Sequence, residues 1–114
     1  MQHRMKLATD PYHKIVSGKK LIESRLYDDK RKKISIGDEI VFSENDEPKN
    51  TFSTVVKGLL RYKTFKDLFE DHEPSLFGEE NKDFLLGQIK QFYSDEDEQK
   101  YGVIGIRLEA LTDR

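Results

Sequence analysis

Residues 20–27, KLIESRLY, alternate with period two, yet neither of the resulting faces is purely apolar. A strand lying half on a core alternates apolar with polar residues. Here Leu21, Glu23, Arg25 and Tyr27 fall on one face, and Lys20, Ile22, Ser24 and Leu26 on the other. That pattern predicts a strand with one side on a polar cleft. On an ideal strand Glu23 and Arg25 point the same way, about 7 Å apart, while Lys20 points away. Gly18 precedes them, and glycine permits a turn that would swing Lys20 round. The plainer reading is a half-buried Glu23–Arg25 ion pair pinning the strand, which is compatible with a role in binding.

The rest of the chain supplies a frame for this strand. The 114 residues suffice for one domain, 1–114, with one modest core. Residues 3–8 alternate weakly and predict a first strand. Thr9 or Asp10 is placed to cap a helix with Pro11 in its first turn, and Gly18 to stop it. Residues 39–43 (EIVFS) and 51–62 (TFSTVVKGLLRY) read as strands around a polar hairpin loop, with Gly58 marking a bulge or bend. A helix is predicted from Thr64, and residues 73–80 are irregular around Pro74 and Gly78. An amphipathic helix follows over 81–93, its Phe84, Leu85, Ile89, Phe92 and Tyr93 covering a sheet. Ser94 opens a short acidic helix, and residues 102–111 make the last strand. The expected fold class is α+β: a small β-barrel of five to six strands with three to four short helices.

Several chemistries are excluded or disfavoured. The chain has no Cys, which removes disulfides, thiolate metal sites and cysteine nucleophiles. His3, His13 and His72 lack ligand spacing, and the run from Asp95 to Glu98 lacks the glycine of a calcium loop, so no metal and no cofactor is expected. Ser17, Ser24 and Ser43 have no paired His in a recognisable arrangement. No apolar run reaches the roughly 20 residues of a membrane span. The opening MQHRMKLATD lacks a leader-like apolar segment, so a cytoplasmic protein is the expectation.

Charge is unevenly distributed. Residues 1–37 carry ten Lys/Arg and four Asp/Glu, a net +6, whereas residues 38–114 carry ten and eighteen, a net −8. A polyanion-facing surface is one consequence; interleaving of the halves, with the field averaged out, is the other. Lys30, Arg31, Lys32 and Lys33 form a candidate phosphate patch or a solvated turn. Tyr12, Tyr27 and Tyr62 flank basic positions and are candidates for stacking on bases or for packing.

Gly18, Lys20, Glu23 and Arg25 match G-x-K-x-x-E-x-R. This resembles the signature of the ASCH family, whose fold is a PUA-like β-barrel, and the chain is identified as a small bacterial single-domain member. The helix-Gly before the signature, the basic turn, Gly37-Asp38 before EIVF and the closing YGVIGI resemble the family too. The resemblance implies binding of RNA, or of a modified nucleoside or nucleotide, in a cleft beside the signature, and no membrane. The nucleic-acid-binding candidates are then Gly18, Lys19, Lys20, Glu23, Arg25, Tyr27 and Lys30 to Lys33. Some small members resemble hydrolases that deacetylate an acetylated cytidine nucleoside with a Lys, a Thr and a distal Glu; others are described as single-strand ribonucleases. Lys20 matches the Lys, Glu23 stands where those members have Thr, and Glu79 or Glu80, with Glu73 behind, are candidates for the distal Glu. On that reading the catalytic candidates are Lys20, Glu23, Glu79 and Glu80. Lys20 would polarise a carbonyl or act as a base, the latter requiring a pKa below the free value of about 10.4.

Overall fold

The computed structural model describes residues 1–111. In chain order they form β1 (Gln2–Leu7), α1 (Thr9–Val16), β2 (Ile22–Leu26), α2 (Asp29–Lys32), β3 (Glu39–Glu44) and β4 (Thr51–Tyr62). Then come α3 (Phe65–Glu70), a 3-10 turn (Pro74–Leu76), α4 (Lys82–Lys90), α5 (Asp95–Tyr101) and β5 (Val103–Ala110).

The apolar, β-branched runs make the sheet's centre. β3 and β4 pair antiparallel around the polar loop, and β4 pairs with β5. The ladder slips one residue between Val56 and Gly58, the bulge that Gly58 marks in the sequence. β1 runs parallel to β3, and β2 lies antiparallel to β5, giving the order β1-β3-β4-β5-β2. β1 and β2 are therefore the two edges. They do not pair, so the expected barrel is a curled half-barrel, α+β in class.

Two apolar clusters hold the helices to the sheet. One joins Tyr12 and Ile15 of α1 to Met5, Ile40, Phe42, Val56 and Ile104. The other joins Phe65, Leu68 and Phe69 of α3, Phe77 and Leu85 to Ile22 and Val103. Phe42, Phe65 and Phe69 are fully buried. At roughly 1.5–3 kcal/mol for each buried ring, these contacts outweigh the modest propensity of such short helices.

Side-chain caps start three helices as the sequence predicts. Thr64, Asn81 and Ser94 accept main-chain N–H bonds from Asp67, Phe84 and Asp97. Three expectations are corrected. The cap of α1 is Ala8, without a side-chain bond, because Thr9 enters the helix and its hydroxyl donates to Asp46 at 2.9 Å. The strand expected from Lys20 begins only at Ile22. In α4, Leu85 is buried, but Phe84 faces solvent and Phe92 lies past the helix end, exposed. No helix among the described residues is long and apolar enough to cross a membrane.

Candidate functional site

α1 ends at Val16, and the chain reverses through Ser17 and Gly18, whose φ of +82° few other residues adopt without strain. The main-chain N–H groups of Lys19 and Lys20 both donate to the Lys14 carbonyl, at 2.9 and 3.0 Å. Lys20 then makes a lone antiparallel bridge to Phe77 instead of joining the ladder with β5. Strand alternation does not govern it, and its side chain comes round to Glu23.

Glu23 is 3% exposed and receives a cation on each oxygen. Lys20 Nζ lies 2.8 Å from Oε1, and Arg25 Nε lies 2.6 Å from Oε2. Burial pushes the Glu23 pKa upward, but Lys20 and Arg25 outweigh it and hold the carboxyl down at about 2. Arg25 also donates Nη2 to the Lys6 carbonyl at 2.9 Å. β2 is thereby tied to β1 across the open edge of the half-barrel.

Beside this trio lies a cleft of about 410 Å³. One wall carries Lys20, Glu23 and Arg25; apolar walls come from Phe69, Phe77, Leu85, Ile89, Phe92 and Tyr93. α1 contributes Asp10 from its first turn and Lys14 from its last. Lys14 Nζ sits 2.7 Å from Glu79 and 3.0 Å from Asp10, and the Glu79 hydrogen bond leads in raising its pKa. Tyr93 stacks on Phe65 with ring centres 5.6 Å apart, and burial raises its phenol pKa.

Gly78 fits the 73–80 segment against the lysines. Its φ is +86°, and a Cβ there would lie 3.1 Å from Lys20 Cβ and 3.2 Å from Lys14 Cδ. Glu79, the next residue, is thus held at the cleft.

Of the residues singled out by sequence, Lys20, Glu23, Arg25 and Glu79 line the cleft; Gly18, Lys19, Glu80, Tyr27 and residues 30–33 do not. Glu80 and Glu73 face solvent. Asp28 caps α2 by accepting the Arg31 N–H, and Arg31 Nη1 pairs with it at 3.2 Å. Tyr12 is buried in the core, and the Tyr62 hydroxyl is taken by Asp71 and His72. Sequence reasoning missed Lys14, Phe92 and Tyr93 as cleft residues. For Phe92 the signal was present: an aromatic at the end of an amphipathic helix that the core does not need. Among the described residues no group of three or more His, Asp or Glu side chains is placed to hold a metal ion.

A curled five-stranded sheet, open at one edge and flanked there by a cleft with one charged wall, defines a PUA-like half-barrel. The chain belongs to the ASCH domain family, whose sequence profile matches residues 5–112. A crystal structure of hypothetical protein PH0355 is similar at 35% identity, with a TM-score of 0.86 over 97% of this chain and 100% of that one. Protein PF0455 from Pyrococcus furiosus is 31% identical, with a TM-score of 0.75 over 99% of this chain and all of that one. The ASCH domain from Lactobacillus crispatus shares the fold at 16% identity, with a TM-score of 0.63 over 96% of this chain and 79% of its own. No curated protein matches the sequence.

Proposed function

We propose that residues 1–114 act as one RNA- or nucleotide-binding domain, and that the cleft receives a base with its sugar. The observation that carries this is the convergence of Lys20, Glu23 and Arg25 on one side of a cleft whose other walls are aromatic and aliphatic. The ASCH family is generally proposed to bind RNA. Four lining cations, Lys6, Lys14, Lys20 and Arg25, face three carboxylates, Asp10, Glu23 and Glu79. Such near balance suits a ligand with a flat apolar face and polar edges better than a bare polyphosphate. Lys20 spends one of its three donors on Glu23 and keeps the others for a base edge or a phosphate. The test is titration of single-stranded RNA and of nucleoside monophosphates into wild type and Lys20→Gln. Weaker binding by the folded variant supports the reading; unchanged binding of every ligand rejects the cleft.

A second reading is hydrolysis on the same cleft, favoured by Glu79 and Lys20 both lining it. Glu79 would take a proton from water as its oxygen attacks an amide carbonyl. Lys20 would stabilise the oxyanion, and Glu79 would pass that proton to the leaving nitrogen as the C–N bond breaks, leaving a carboxylic acid and a neutral amine. Incubation with acetylated cytidine, and with labelled RNA for strand cleavage, tests it. Product that Lys20→Ala or Glu79→Gln abolishes is the expected result, and no product from wild type across a range of pH leaves binding alone.

A further inference from the structure

A second concavity, of about 670 Å³, shares no lining residue with the cleft. It is walled by Tyr27 and by residues 61–64 and 99–103, at the end of β4, the end of α5 and the start of β5. Its charged lining residues are Arg61, Lys63 and Lys100, and no carboxylate is among the lining. In a chain of net charge −2 this groove is a local reversal of sign.

How the cations are held decides what they can do. The Arg61 guanidinium lies over the Tyr27 ring at 4.0 Å from its centre, with Lys32 Nζ at 5.7 Å. Lys100 Nζ lies over Tyr101 at 5.1 Å. Among the described residues Arg61, Lys63 and Lys100 form no ion pair, while Lys32 has one loose contact, 3.9 Å from Asp29. An aromatic face positions a cation without consuming its N–H donors, whereas a carboxylate takes them up. The groove therefore presents oriented cations with their donors free, an arrangement suited to phosphate oxygens. Arg61, in β4, and Lys63, just past the strand's end, are two residues apart and both exposed, so they can meet successive anions of an extended chain.

We propose that this groove is a second nucleic-acid contact, holding the phosphate backbone of a single strand. Its concavity disfavours a flat bilayer, and Tyr62, a lining ring with no cation over it among the described residues, favours a nucleotide strand over an acidic peptide. The groove stands on its own cations and does not require the cleft reading. It also gives a place to Tyr27 and Lys32, which the cleft leaves out.

The experiment is fluorescence anisotropy with a labelled oligouridine of about twelve nucleotides, using wild type, Arg61→Glu/Lys100→Glu and the milder Arg61→Ala/Lys63→Ala. Circular dichroism checks the fold of each, and uridine monophosphate is titrated in parallel. Affinity for the strand should fall about tenfold or more, and the slope of log affinity against log salt should become shallower by about 1.4 for two lost phosphate contacts. Monophosphate binding should not change. Equal strand affinity and salt slope in both folded variants overturns the proposal. So does a loss confined to anionic phosphatidylserine vesicles or to a poly-aspartate peptide. Should the cleft reading be the one that fails, the monophosphate shows no binding to any protein while the strand arm still responds.

Discussion

Arg25 Nη2, on one edge strand of the sheet, donates to the main-chain carbonyl of Lys6, on the other edge, at 2.9 Å. The same guanidinium holds the buried Glu23 through Nε. One side chain thus closes the seam of the half-barrel and neutralises the acid behind it. Arg25→Ala removes both contacts and leaves Glu23 with Lys20 alone. A loss of about 3 kcal/mol is expected, as for other broken buried pairs, measured by urea unfolding. Arg25→Lys should recover little, because an ammonium cannot copy the planar fork. Full recovery by lysine would mean that charge alone suffices.

Acid should act on the fold through Glu23. Its carboxyl titrates at about 2 when folded, against 4.5 for a free glutamate. A depressed pKa contributes stability that is complete above about 4.5 and is lost as pH falls toward 2. The Tm should therefore drop across that window. Glu23→Gln should be less stable at neutral pH, since two cations then lack their anion, and its Tm should fall less from pH 5 to pH 2. An equally steep acid limb in the variant would assign the effect to other carboxylates, among them Asp38. That side chain is also held down at about 2, chiefly by its hydrogen bond from His3 and then by the Ser35 N–H.

Two glycines with similar backbone angles should differ on mutation. Gly18→Ala meets nothing within 4 Å, so only its φ of +82° is strained, at about 1 kcal/mol. Gly78→Ala meets the same strain plus Lys20 Cβ at 3.1 Å and Lys14 Cδ at 3.2 Å. It should cost more and displace both lysines, lowering ligand affinity as well as Tm. Equal effects on both readouts would show that the Gly78 approach does not position the cleft.

Phe92 is 70% exposed yet lines the cleft. Phe92→Ala should shift stability by no more than about 0.5 kcal/mol, as for most surface changes. If a base stacks there, affinity should weaken by about 1–3 kcal/mol in a calorimetric titration. Unaltered affinity would remove Phe92 from the ligand's contacts.

The sheet was legible where local chemistry decides. Residues 51–62 form one long strand because β-branched and aromatic residues (Thr51, Phe52, Thr54, Val55, Val56 and Tyr62) are frequent in it and no proline interrupts it, and Asn81 and Ser94 cap helices through bonds to residues three positions on. The resemblance carried by Lys20, Glu23 and Arg25 pointed to the family. What periodicity could not supply was partnership. Lys14 meets Glu79 across 65 positions, and no pattern around either residue announces it. Lys20 was placed on the wrong side by strand alternation because its bridge to Phe77 takes it out of the strand.

The position of β2 also orders events in time. Its sheet partner is β5, with Ile22 opposite Arg107 and Leu26 opposite Val103. Closing so long a loop is entropically slow, so pairing of this kind tends to come late in folding. Until residue 107 has been synthesised, a nascent chain can assemble the β3–β4 hairpin, but β2 lacks its full sheet partner. The wall bearing Glu23 and Arg25 is therefore expected to be completed late, after most of the chain has been made.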